Sequence, residues 1–229
     1  MSPEPRLTWA AVTDLIASAA AAYAAAHTSP FTGSLASVAA WTGANTDSPQ
    51  MMTGLAEARL LEALIVVGDV RRVLEIGTFT GLGALAMAAA LPPDGRVITL
   101  EVDQQAAALA RRHLERSPYG SRVELIVGDA IETLARLDGP FDLVWIDAWK
   151  ADYPAYYQAV LPKLAKRGVI VADNVFRHGL ALRPEAEDPD TVGIREFARR
   201  LQQDERVHNV LLTVGDGVML AWPRPPGAE

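Results

Sequence analysis

The 229-residue chain contains no cysteine. That excludes disulfides, thiolate metal sites and a cysteine nucleophile. Lysine is almost as rare. Of 21 basic residues, three are lysine, at positions 150, 163 and 166, and the rest are arginine. Acidic residues number 28, which leaves a net charge of −7. A broad phosphate-binding surface does not fit that balance, so nucleic acid is not expected as a main partner. Internal repeats and low-complexity linkers are also missing. The apolar N-terminal stretch, residues 9–26, is alanine-rich and interrupted by Asp14, and Glu4 offsets Arg6 ahead of it. It reads as a surface or interface helix of a soluble protein, not as a signal peptide or membrane span. A cytoplasmic location without a membrane partner is expected.

Half of the residues are hydrophobic. A chain of this size buries roughly 70% of its unfolded surface and needs no staple. From residue 70 onward, short β-branched runs alternate with helical patterns. Strands are expected at Arg72–Ile76 and at residues 96–102, 122–127, 141–147 and 168–173. Helices are expected after the first strand to about residue 91, then at 104–116, 130–137, 153–164 and 192–204. Residues 207–214 and 218–222 close the chain as two strands around Gly215-Asp216-Gly217. The middle strands are continuous apolar runs, as befits strands covered by helices on both faces. Five strand–helix units predict an α/β, Rossmann-like, doubly wound sheet with right-handed crossovers. The final turn is too short for a crossover, so the last strand must run antiparallel. The expected result is a seven-stranded mixed sheet (residues 70–229) with a helical N-terminal cap (residues 1–69) in the same domain.

In such sheets, ligands bind beyond the carboxyl ends of the strands. The first strand ends in EIGTFTGLG, residues 75–83. Its glycines allow close backbone approach, and the following helix N-terminus favours anions. The spacing is G-x-x-x-G-x-G, which is not the dinucleotide fingerprint. The second strand leads to Glu101, a carboxylate able to accept both hydroxyls of a ribose. The fourth ends in Asp147, followed by Trp149 and Lys150, and the fifth in Asp173-Asn174. Two carboxylates and an amide oxygen suit a hard divalent ion such as Mg²⁺. The competing reading has Asp147 and Asp173 as ordinary helix-capping acids. Lys150 stands in a chain that otherwise uses arginine; a lysine near a metal can serve as a base where arginine cannot. None of the four histidines shows ligand or triad spacing. His178 can line a substrate pocket; His27, His113 and His208 read as surface residues.

These residues resemble the metal-dependent class I S-adenosylmethionine O-methyltransferases of the catechol and caffeoyl-CoA group. The resemblance covers residues 51–222. It rests on the 75–81 turn, TLE at 99–101, FDLVWIDAWK at 141–150, DNV at 173–175 and GDG at 215–217. The Trp149-Lys150 pair is more similar to the catechol branch than the Asp-Lys usual in the caffeoyl-CoA branch. The resemblance implies S-adenosylmethionine and Mg²⁺ or another divalent metal as cofactors. Glu75, Gly77, Thr78, Phe79, Gly81 and Gly83 would hold the methionine end. Glu101, with Val102 after it, would hold the ribose, and Asp129 and Ala130 the adenine. Met51 and Thr53 would cover the cofactor, with Trp149 beside it. Asp147, Asp173 and Asn174 match the metal ligands, Asp147 also bordering the cofactor, and Lys150 matches the catalytic base.

Three positions depart from the family pattern. Gly83 replaces a common serine, Ala58-Arg59 replaces Gly-Gln, and the loop Val175-Phe176-Arg177-His178 matches no substrate signature. The expected reaction is methyl transfer to one hydroxyl of a catechol-like small molecule, such as a natural-product precursor, by a homodimer. The alternatives are a nicotinamide-dependent oxidoreductase, a cofactor-binding module without catalysis, and a methyltransferase with another acceptor.

Overall fold

The computed structural model describes residues 19–225. The expected helix at 9–26 falls largely outside the described residues, which begin in helix at 19–26. The elements that follow are α1 (Gly33–Asn45), α2 (Leu55–Gly68), β1 (Arg72–Ile76), α3 (Leu82–Ala90), β2 (Arg96–Glu101) and α4 (Gln104–Glu115). After them come β3 (Val123–Val127), α5 (Ala130–Arg136), β4 (Phe141–Ile146), α6 (Tyr153–Val160), β5 (Leu164–Ala172), α7 (Pro189–Gln203), β6 (Val207–Leu212) and β7 (Val218–Pro223). Among the described residues, no helix is long and apolar enough to cross a membrane.

The seven strands form one sheet in the order β3-β2-β1-β4-β5-β7-β6. The first five strands pair in parallel, and β7 runs antiparallel to both β5 and β6. This is the mixed Rossmann-like sheet expected from the strand pattern. Alternate residues along each strand serve opposite layers. Leu74, Ile76, Val144 and Ile146 pack with Tyr153, Tyr157 and Phe197 of α6 and α7. Val73, Leu143 and Trp145 pack with Leu61, Ile65 and Met87 of α2 and α3. Both faces are therefore apolar, which is why the strands carry no polar alternation.

Two boundaries differ from the sequence pattern by four residues. Helix α6 stops at Val160, and Leu161–Lys163 forms a 3-10 turn. Pro162 has no amide hydrogen to continue the α-helical bonding there. Strand β5 begins at Leu164, four residues before the apolar run, with Lys166 and Arg167 exposed. Its register against β4 shifts between Phe141 and Leu143. A polar start and an irregular register conceal the strand from a hydrophobicity reading.

The chain order reverses between β1 and β4, where the neighbour of β1 changes from β2 to β4. That switch point opens a crevice at the carboxyl edge. Backbone bonding runs one residue past several strand ends there. Gly77 donates to Leu100, Asp147 to Ile76, and Asp173 to Ile146, at 2.9, 2.9 and 3.0 Å. These bonds align the strand-end residues along one edge.

Candidate active site

The turn after β1 is shaped by close backbone packing. Gly77 has φ +100°, and a Cβ there would lie 2.1 Å from the Asp147 carbonyl oxygen. Glycine is required for the ends of β1 and β4 to approach this closely. Phe79 follows with φ 49°, a backbone region that bulky residues adopt only when their surroundings hold them in it. The Glu101 carboxylate supplies part of that hold. One oxygen accepts the amides of Thr78 and Phe79 at 3.1 and 2.7 Å. The other accepts the Asp103 amide at 2.9 Å. The end of β2 is thereby fastened to the turn after β1.

Glu75 lies below this turn and is 1% exposed. Thr99 donates a hydroxyl hydrogen bond to it. Burial pushes the Glu75 carboxyl up to about 8, against the pull of that bond, and the charges of Asp147 and Glu101 add to the rise. Gly83 faces the same place. A Cβ at Gly83 would meet Glu75 Oε1 at 2.5 Å and Thr53 Oγ1 at 2.8 Å. The volume of the family's serine is thus filled by the Glu75 carboxyl and the Thr53 hydroxyl. The other departure has a similar logic: Ala58 is fully buried, while Arg59 binds the carbonyls of Ser29 and Pro30.

Apolar side chains stand exposed after three consecutive strands: Val102 after β2, Ile131 after β3 and Trp149 after β4. Met51, before α2, is exposed as well. Asp129 caps α5 by accepting the Glu132 amide at 2.9 Å, so Ala130 opens that helix.

The ends of β4 and β5 carry the second half of the site. Lys150 donates to Asp147 Oδ1 at 2.8 Å, and both side chains are largely buried. Asp173 accepts the amide of Asn174 at 2.7 Å. Asn174 itself is held at φ 55°. Helix caps are made by Asp103, Asp129 and Asp188. Among the described helices, none is capped by Asp147 or Asp173. Burial, with the Asp147 charge next, pushes the Asp173 carboxyl up to about 8. A buried acid raised by a neighbouring carboxylate is a place where a cation gains most. Among the described residues, no three acidic or histidine side chains gather in a metal-binding group. The third oxygen available at this edge is the amide of Asn174, and the donor set is all oxygen, as hard divalent ions prefer.

Several contributors were invisible in the sequence pattern. Tyr153 is fully buried, and its hydroxyl reaches the carbonyls of Ile146 and Asp173 at 3.2 and 3.0 Å. Its ring lies 5.7 Å from Lys150 Nζ. The spacing Asp147-Lys150-Tyr153, one residue in three, was the available signal. His113 corrects an expectation: it is buried rather than a surface residue, and Nδ1 lies 2.8 Å from the Thr80 carbonyl. His178 is exposed, with its amide on the Asp216 carboxylate at 2.8 Å and its ring 3.5 Å away. A separate cleft of about 720 Å³ opens at the amino ends of the strands, between Val67, Asp142, Lys166 and Trp222. It contains none of these residues.

The geometry has counterparts in known proteins. The model of a family described as O-methyltransferase matches residues 26–223. The catechol O-methyltransferase of Niastella koreensis is 38% identical over 175 residues, covering 72% of this chain and 79% of that one. The catechol O-methyltransferase of Mycobacterium tuberculosis is 39% identical over 183 residues, with coverage of 77% and 82%. Among solved structures, the O-methyltransferase TomG from Streptomyces achromogenes, in complex with SAM, superposes with a TM-score of 0.83. It is 31% identical and covers 90% of this chain and 96% of its own. With a family match across most of its length, this chain belongs to the O-methyltransferase family.

Proposed function

We propose that this enzyme transfers a methyl group from S-adenosylmethionine to one hydroxyl of a catechol-like small molecule, with a divalent ion such as Mg²⁺. The observation that carries the reading is the meeting of Asp147, Lys150, Asp173 and Asn174 at one sheet edge, against the Gly77 turn. When bound, the cofactor supplies an electrophilic sulfonium methyl, and the ion supplies positive charge that makes a phenolic hydroxyl more acidic.

The chain's own residues divide the remaining work. Glu75, at the base of the glycine turn, would receive the amino group of the methionine end. Gly77, Thr78, Phe79, Gly81 and Gly83 shape the wall around it, with Thr53 opposite. Three amides leave Glu101 about one lone-pair site, on the oxygen that accepts the Asp103 amide, for a ribose hydroxyl. Val102, Ala130, Met51 and Trp149, with Asp129 at the rim, line the adenine and sulfonium side. Val102, Ile131 and Trp149, each exposed just beyond a strand's carboxyl end, support this. Asp147, Asp173 and Asn174 would hold the ion. Lys150, delivered to that edge by its bond to Asp147, would take the proton from the reacting hydroxyl as the neutral amine. Holding oxygen and methyl at near-attack distance supplies much of the rate.

Helix α2 packs Leu61 and Ile65 into the same cluster as Val73 and Trp145. That contact supports treating the described part of the cap, residues 19–69, as packed on the core and not as a separate unit.

The test is a methyl-transfer assay with labelled cofactor over catechols, flavonoids, acyl-CoA phenols and hydroxylated natural-product precursors. Transfer to one oxygen of a vicinal dihydroxy aromatic, lost in EDTA and restored by Mg²⁺, is expected. Full activity in chelator overturns the metal assignment. Methylation of other acceptors but of no vicinal dihydroxy aromatic overturns the substrate assignment.

A further inference from the structure

The turn that holds Phe79 at φ 49° is gripped from a second direction. Thr80, the next residue, is 1% exposed. Its carbonyl oxygen lies 2.8 Å from His113 Nδ1, on α4. Its hydroxyl accepts a bond from the Thr42 hydroxyl, on α1, at 2.9 Å. Trp41, beside Thr42, sets its ring edge-on to the imidazole, with centroids 4.9 Å apart. His113 and Thr42 are both buried. The carbonyl can only accept, so Nδ1 carries the hydrogen, which fixes which imidazole nitrogen faces the turn.

A non-glycine residue in left-handed backbone persists when its neighbours over-determine it. At Phe79 the amide is fixed by Glu101 from one side. Thr80 is fixed by α4 and α1 from the other. Without that second grip, the peptide between Phe79 and Thr80 is free to rotate toward ordinary backbone. The turn would then lose the shape in which its amides meet Glu101. A ligand that selects the formed turn would bind in proportion to the fraction of molecules that hold it.

We propose that His113 and Thr42 are positioning residues for the cofactor: together they clamp Thr80, keep the Phe79 turn in its binding shape, and make cofactor affinity depend on the packing of α1. The proposal rests on the reading that this turn holds S-adenosylmethionine. Neither side chain is placed in contact with the cofactor; both act through Thr80.

The experiment compares binding of S-adenosylhomocysteine by calorimetry for the wild type, His113→Leu, His113→Asn and Thr42→Val. Leucine keeps bulk without a donor; asparagine restores a donor close to the Nδ1 position. Loss of one buried hydrogen bond predicts affinity about tenfold weaker for His113→Leu. His113→Asn recovers most of it, and Thr42→Val weakens binding in the same direction. In the transfer assay, the change falls on the cofactor KM, with the acceptor KM unmoved. Wild-type affinity in His113→Leu, or His113→Asn binding as weakly as His113→Leu, overturns the clamp. If His113→Leu does not fold, the isosteric Thr42→Val decides, and unaltered binding there overturns the proposal. Wild-type protein that binds no S-adenosylhomocysteine overturns the cofactor reading itself, an outcome distinct from failure of the clamp.

Discussion

The Tyr153 hydroxyl lies 3.0 Å from the carbonyl oxygen of Asp173. The same hydroxyl reaches Ile146, so one phenol ties the end of β4 to the end of β5. Tyr153→Phe keeps the ring under Lys150 and removes only the tie. A stability loss of about 1 kcal/mol is expected for the missing hydrogen bond. Binding of Mn²⁺, followed by electron paramagnetic resonance of the free ion, should weaken at the same time. Unaltered Mn²⁺ affinity with lowered stability would make Tyr153 a packing residue alone.

Lys150 should be separable from binding. Lys150→Ala is expected to lower turnover by about 10²–10⁴-fold, the usual contribution of a positioned base. Cofactor affinity should stay close to wild type. Lys150→Arg should not restore turnover, because a guanidinium keeps its proton at any working pH. Single-turnover rates with saturating cofactor measure both variants; an active arginine variant would assign Lys150 to charge alone.

Glu75 makes a pH-dependent prediction. Its carboxyl is held near 8 in the fold, above the ordinary 4.5. Between those values the folded protein binds more protons than the unfolded chain, so stability falls as pH rises through that window. Its contribution is complete below 4.5 and gone above about 8. Glu75→Gln, with no charge to bury, should flatten this part of the stability–pH curve and raise the melting temperature at pH 8. It should also weaken cofactor binding. A wild-type curve as flat as that of the variant would contradict the buried position of the carboxyl.

The substitution at Gly83 invites a paired experiment. Gly83→Ser places a side chain where the Thr53 hydroxyl and the Glu75 carboxyl already sit. Alone, it is expected to weaken cofactor binding. Combined with Thr53→Ala, which opens the space, it should regain much of the loss. A double-mutant cycle on cofactor affinity reads the coupling directly, and strict additivity would show that the two positions do not compete.

Much of this site could be read before the fold was known, and the reason is geometric. Strand-end residues in a parallel sheet share one edge, so Glu101, Asp147 and Asp173 needed only the strand boundaries to be brought together. The apolar runs of β1, β2 and β4 announced those boundaries because both faces are covered. What escaped was set by contacts across long sequence distances. His113 follows two arginines on its helix, and only the approach of Thr80, 33 residues earlier, shows that it is buried. Tyr153 looked like the apolar start of a helix until the two strand ends supplied acceptors. The start of β5 was hidden by Lys166 and Arg167, which extend from the strand into solvent.

The loop after Asn174 leans on the last hairpin. Val175 and Phe176 donate their amides to the carbonyls of Gly217 and Asp216, at 3.1 and 2.8 Å. The Asp216 carboxylate takes the amide of His178. Strand β7, which follows this turn, inserts between β5 and β6. The two segments therefore close over different stretches of chain. The glycine turn meets Glu101 through a contact 22 residues apart, whereas the loop after Asn174 rests on a hairpin some 40 residues downstream, and the longer closure costs more chain entropy. Loosening the last hairpin would free this loop while leaving the bonds between Glu101 and the glycine turn in place.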